Sequence, residues 1–448
     1  MWTVEALRRD LEAGRTSSRE LAEQALARIA DTAGEGTRAF LKVCAGSARA
    51  DADHADRLRQ AGVRRSAVDG LPVSVKDLFD VAGEVTRAGS KILGDAPAAS
   101  ADAPPIARLR AAGAVIVGRT NMVEFAFGAV GTNPHYGTPR NPWDRKVGRV
   151  PGGSSSGAAV AVADGMCVMG LGSDTRGSIR QPAALCGVAG FKPTQRRVPR
   201  EGAFPLSYTL DSIGPLAPSV GCCAAYDAVL AGEPDDALPE LAARGLRLLV
   251  PRSSALEDLD AAVAKAFEAV LGALSRAGAA IEERAVPAFD RQAEYFRNGG
   301  FAAAEAYAIH RRWLDRAGDY DPRVAKRVAL GSEIAGWELV ELGLLRASYL
   351  REVGALMAPF DAFLVPTSPC VAPTIAEASA SDEAYFKWNA RILRNTGLVN
   401  FLDGCAATLP CQAPGAAPVG LMVSGVAMAD RHVLATAKAI ERVLAARA

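Results

Sequence analysis

Residues 151–183 read PGGSSSGAAVAVADGMCVMGLGSDTRGSIRQPA. A Gly-Ser turn opens the stretch, and Gly157 to Gly165 reads as a helix of small residues suited to close packing. Met166 to Leu171 reads as a strand. A second glycine-bearing loop follows, and Ile179 to Ala184 can start another helix. Helix and strand thus alternate within one short stretch, the pattern of a layered α/β fold.

The same alternation continues outward. AVIVG (114–118) reads as a strand entered through Gly113, after a helix over Ile106 to Ala112. GLPVSVKDLFDV (70–81) carries a short apolar run after Gly70, the mark of a buried strand. Further upstream, residues 47–62 are helical, and Ser17-Ser18-Arg19-Glu20 makes a capping box before Leu21, Ala25 and Ile29. Downstream, residues 225–370 are dominated by amphipathic helices such as Leu259 to Ala277. APFDAFLVPTSP (358–369) returns to a strand, and the tail from Asp430, its expected N-cap, to Ala446 is a helix. Because strands resume after it, the middle segment reads as an insertion on one core. The expected division is one domain over 1–448, with a core at about 65–220, the insertion at about 225–370 and a return to the core at 371–448.

Bulk properties set the limits. A chain of 448 residues, 49% of them hydrophobic, suffices for one large core or two ordinary domains. With a net charge of +1, nothing in the bulk electrostatics marks a nucleic-acid binder. The opening MWTVEALRRDLEAG lacks the apolar core of a signal peptide, and AAVAVADGMCVMGLG is too short and interrupted to span a bilayer. The eight cysteines (44, 167, 186, 222, 223, 370, 405, 411) show no CxxC spacing and read as reduced core thiols, which places the protein in the cytoplasm. No metal-ligand spacing occurs and no cofactor is implied.

Ser154, Ser155 and Ser156 admit three readings. A phosphate cradle of the P-loop kind needs a Lys after the last glycine, and none follows Gly157. A flexible linker would not run directly into AAVAVA. Catalysis remains, and it needs a base. Of the four histidines, His54, His310 and His432 lie in polar or Arg-rich helical surroundings and read as solvated; His135, in NPHYG, is the one remaining candidate. Lysine is an alternative base when burial disfavours its ammonium form. Lys76 interrupts an apolar strand, either for that reason or because it pairs with Asp77 or reaches solvent.

GLPVSVKD, GRTNMVEFAFG (118–128), NPWDRKVGRVPGGSSSGAA (141–159), GSDTRGSIRQPA (172–183) and YTLDSIGPLAPSV (208–220) occur in that order. Together they resemble the amidase signature family, over about Gly70 to Pro218 and again, weakly, near Asn400 to Val423. The resemblance implies a single α/β domain, its central mixed, twisted sheet covered by helices on both faces. It also implies a Ser–cisSer–Lys triad, with Lys76 as base, Ser154 as the bridging serine and Ser178 as nucleophile. The N–H groups of Thr175, Arg176, Gly177 and Ser178 match the family's oxyanion hole, and Ala126 matches a substrate-contacting position. Ser155 and Asp174 are expected to orient the loop, and Arg180 to be structural. The implied activity is hydrolysis of a small amide, without metal, membrane or nucleic acid.

One position departs from the family. DTGGSIR is usual, and this chain has DTRGSIR. Arg176 either turns away and packs, or lines the pocket and selects a polar or acidic amide such as a half-amide or ureide. Rival readings are the ammonia-producing component of a tRNA-dependent amidotransferase, a ureide hydrolase of the biuret or allophanate kind, and a binding scaffold without activity. Pocket residues are expected from 225–370 and from 395–412. The oligomeric state stays open, a homodimer included.

Overall fold

The computed structural model describes residues 2–234 and 237–446. Eleven strands form one sheet. They are β1 Phe40–Val43, β2 Pro72–Lys76, β3 Val115–Thr120, β4 Met169–Asp174, β5 Ala189–Lys192, β6 Ser212–Ala217, β7 Arg247–Arg252, β8 Ala280–Ala285, β9 Ala362–Pro366, β10 Cys405–Pro410 and β11 Gly420–Gly425. Their order is β1-β3-β2-β4-β6-β5-β10-β11-β9-β7-β8. The sheet is mixed: β3, β2 and β4 run parallel, as do β9, β7 and β8, and the strands between pair antiparallel.

The alternation of side chains along a strand builds the layers. Ala114 and Ile116 enter one core, whereas Val115 and Val117 enter another. The first is lined by the helices Val4–Glu12, Val220–Ala231, Ala261–Arg276 and Asp430–Ala445, the second by Ala45–Gln60, Ser156–Ala163 and Arg180–Cys186. At the far end Ala362 and Leu364 face the first core, and Phe363 and Val365 a third. Helices therefore cover both faces, and β2, β3, β4 and β6 are buried along their whole length. Strands covered on both faces read as continuous apolar runs, which is why PVSVK and VIVGRT were legible.

Several elements differ from expectation. The segment 225–370 supplies helices and also β7 and β8. β8 is an exposed edge with Glu282, Glu283 and Arg284 on it, and charge of that kind blunts an edge while hiding the apolar alternation. β4 starts at Met169 rather than Met166, after a turn in which Gly165 takes φ +67°. Asp430 is the first residue of the last helix and Ala429 its N-cap, since the Asp430 carboxylate accepts hydrogen bonds from Thr194 N and Oγ1, both at 2.7 Å. The capping box at Ser17 and Glu20 forms. Among the described residues no disulfide forms and no helix is long and apolar enough to cross a membrane.

Candidate active site

β2 and β4 are parallel neighbours, and they carry Lys76 and Ser173-Asp174 at their C-terminal ends. The loops that leave these ends meet the Gly152–Ser155 turn. The Gly153–Ser154 peptide is cis. Lys76 Nζ donates to Ser154 Oγ at 2.7 Å and to Ser173 Oγ at 2.9 Å. Its side chain is completely buried. Burial pushes the amine down to about 7, against the opposing pull of Asp174 and Asp211. The alternatives raised for Lys76 fall away: Asp77 is engaged by Arg119, Nε to Oδ1 at 2.9 Å, and Lys76 does not reach solvent.

Asp174 organises the loop that follows β4. Its carboxylate accepts from Gly177 N at 2.7 Å, Ile179 N at 3.1 Å, Arg180 Nη2 at 2.9 Å and Asn400 Nδ2 at 3.0 Å. Burial would raise this carboxyl, yet Arg180, Lys192 and Asn400 together hold it at about 2. Arg180 is fully buried against it. Ser155 N donates to the Ser178 carbonyl at 3.3 Å and ties the two serine loops together. Thr175 Oγ1 donates to Asp211 at 2.5 Å. Gly177 takes φ +137°, and a Cβ there would lie 2.3 Å from Thr396 Oγ1, so glycine alone fits.

The four N–H groups expected at one spot divide. That of Gly177 is already given to Asp174, whereas no acceptor among the described residues meets those of Thr175, Arg176 and Ser178. An unpaired set of N–H groups beside a serine suits a developing oxyanion.

Ser178 opens onto a cavity of about 20 Å³, room for about one water. Ala126, Phe127, Thr175, Arg176 and Arg327 share its wall. Phe125 and Ala126 both take left-handed backbone, φ +51° and +59°, a strained pair of the sort found at ligand sites. Glu124, wholly buried, anchors them. It accepts from Ser90 Oγ at 2.7 Å and Asp321 N at 2.6 Å, and meets His135 Nε2 at 2.8 Å. His135 thus clasps this loop rather than facing a serine. His310, expected to be solvated, is completely buried: its ring meets Phe125 edge-on at 4.4 Å and its Nδ1 lies 3.0 Å from Tyr320 Oη. It turns inward from a helix end while Arg311 and Arg312 turn out. His54 and His432 are exposed.

Arg176 settles between its two expected roles. Its φ is not positive, so an arginine fits the backbone at the position where the resemblance led to an expected glycine. Its carbonyl accepts from Thr396 Oγ1 at 2.5 Å, and its guanidinium lies 3.6 Å over the Phe296 ring. It packs, and it also lines the cavity. Ser173, Asp211, Phe296, Arg327, Thr396 and Asn400 were not singled out from sequence. Ser173 and Asp211 lie inside the motifs, and Phe296, Arg327, Thr396 and Asn400 lie inside the two segments from which pocket residues were expected, without a signal that marks them individually.

The Amidase family profile matches residues 20–434. The 2-amino-5-chloromuconic acid deaminase of Comamonas testosteroni is 37% identical over 407 residues, covering 89% of this chain and 86% of its own. The A component of the glutamyl-tRNA(Gln) amidotransferase from Anaeromyxobacter dehalogenans is 37% identical over 470 residues, covering 96% and 93%. A solved structure described as an amidase superposes with a TM-score of 0.87 at 33% identity, over 98% of this chain and 99% of that one.

Proposed function

This chain belongs to the amidase family, and from that premise we propose that it cleaves the C–N bond of a small polar or acidic amide through an acyl-enzyme on Ser178, with Ser154 and Lys76 carrying the proton. The observation that carries this reading is the Lys76 amine, buried, pushed down to about 7 and 2.7 Å from Ser154 Oγ. An amine of that kind is neutral in a useful fraction of molecules near pH 7 and accepts a proton. Ser178 Oγ attacks the carbonyl carbon and gives its proton to Ser154, which passes its own to Lys76. The oxyanion meets the N–H groups of Thr175, Arg176 and Ser178. The C–N bond then breaks, and the proton returns through Ser154 to the departing nitrogen. Water releases the acid from Ser178 by the same relay. Asp174 and Ser155 position the loop, and Ala126 presents backbone to the substrate.

Residues of about 65–220 carry the proton chemistry in this reading, and the segment 225–370 shapes the acyl pocket through Arg327 and Ala302. The test is ammonia release from a panel of half-amides, neutral amides, ureides and glutamine, for wild type and Ser178→Ala. Release from one class, abolished in Ser178→Ala, supports the proposal. Similarity to an amidotransferase component favours a second reading, a glutaminase dependent on partner proteins. Release from glutamine alone, or only with a partner present, would favour that reading instead.

A further inference from the structure

We propose that Arg176 and Arg327 form a paired guanidinium clamp for a carboxylate on the acyl part of the substrate, so that anionic half-amides are taken in preference to neutral or zwitterionic amides. This rests on the reading of Ser178 as nucleophile. Arg176 stands two residues before Ser178, Arg327 comes from the helix Pro322–Ala329, and both line the cavity onto which Ser178 opens. Their planes are held by aromatic faces, Arg176 at 3.6 Å over Phe296 and Arg327 at 4.1 Å over Phe127. That stacking leaves the N–H edges available.

The edges are underused. Arg327 spends Nη1 on the Phe127 carbonyl at 3.0 Å and on Asn389 Oδ1 at 3.3 Å. Arg176 Nε is buried with no acceptor among the described residues. Among those residues neither guanidinium has a carboxylate partner. Other interior arginines do: Arg180 has Asp174, Arg119 has Asp77 and Arg197 has Asp227. Burial first, then the charge of Arg327, pushes Arg176 down to about 9. Two like charges in a desolvated pocket are unfavourable unless an anion joins them. A carboxylate supplies that charge and the paired acceptors that a guanidinium fork prefers.

Among the described residues no acidic side chain lines the cavity. Glutamine offers the clamp its α-carboxylate but brings an α-ammonium that meets two cations and no counter-charge, so half-amides lacking the ammonium are preferred. The two guanidinium groups border a space of about 20 Å³.

The readout is the ratio of kcat/KM for succinamate to that for butyramide, its neutral counterpart, within each protein; loss of fold or of general activity cancels in the ratio. Malonamate against propionamide gives the same ratio for a shorter chain. Wild type is expected to favour the anion, and Arg327→Met to lower the ratio roughly 10- to 100-fold, as for loss of a hydrogen bond to a charged group. Arg176→Met lowers it likewise, and Arg327→Lys restores part of it. For pockets of other length, the Ser178-dependent burst from p-nitrophenyl acetate serves as reporter: malonate, succinate or glutarate slows it in wild type, the matching diamide does not, and Arg327→Met abolishes the difference. A burst with no preference for anions in either measurement overturns the clamp. Absence of the burst overturns the Ser178 reading on which the clamp rests.

Discussion

On the proposed mechanism, raising the pH through neutrality should switch this enzyme on, because burial has made the Lys76 ammonium acidic and only its neutral amine accepts a proton. Lys76 is pushed from 10.5 down to about 7. At a pH about one unit below that midpoint, roughly one tenth of the molecules hold the neutral amine, and about one unit above it roughly nine tenths do. kcat/KM should thus fall about tenfold per pH unit below the midpoint and level off above it. The assay is the initial rate of ammonia release at low substrate across that range. Asp211 pulls the Lys76 value upward, so Asp211→Asn should move the midpoint down. The same burial enters stability. The folded value is depressed, so between about 7 and 10.5 the unfolded chain binds more protons, and folding stability gains with rising pH. The buried amine therefore costs stability in full below about 7, on the order of 5 kcal/mol at 1.36 kcal/mol per unit. The Tm of Lys76→Met relative to wild type should be more favourable on the acid side than near pH 10.5. A rate profile flat across neutrality, or a midpoint near 10.5, would refute the reasoning, as would a midpoint that Asp211→Asn leaves in place.

Three further outcomes are expected. Gly177→Ala places a Cβ 2.3 Å from Thr396 Oγ1 in a backbone that L-residues avoid; thermal unfolding should show a loss of more than about 1 kcal/mol, with activity lost alongside. Asp174→Asn leaves Arg180 buried without its counter-charge, and urea unfolding should register a loss of about 3–5 kcal/mol. Glu124→Ala strands the partners Ser90, His135 and Asp321 N and releases the left-handed pair Phe125-Ala126; kcat should fall while Ser178 keeps its reactivity toward a small ester, and stability should drop by about 1–3 kcal/mol.

Much of this protein was determined locally. The buried strands around Lys76 announce themselves because both faces are covered and apolar residues fill most of the positions. Gly152 and Gly177 take positive φ, backbone that few residue types other than glycine accept. These features depend on a few neighbours in sequence, so they are visible there. Other features were decided by packing between distant segments. Asn400 completes the Asp174 network from 226 residues away, and Thr396 holds the Arg176 carbonyl from 220. Arg327 is one arginine among several in a helical stretch, and only the fold brings it to the Ser178 cavity beside another arginine. His310 reads as solvated from its arginine neighbours, and the rotation of a helix end buries it. A strand's burial follows from its own composition, whereas the charge balance of a pocket is set by whichever segments converge on it. Tertiary structure alone decides that convergence, and here it leaves two guanidinium groups beside Ser178 with no carboxylate among the described residues to answer them.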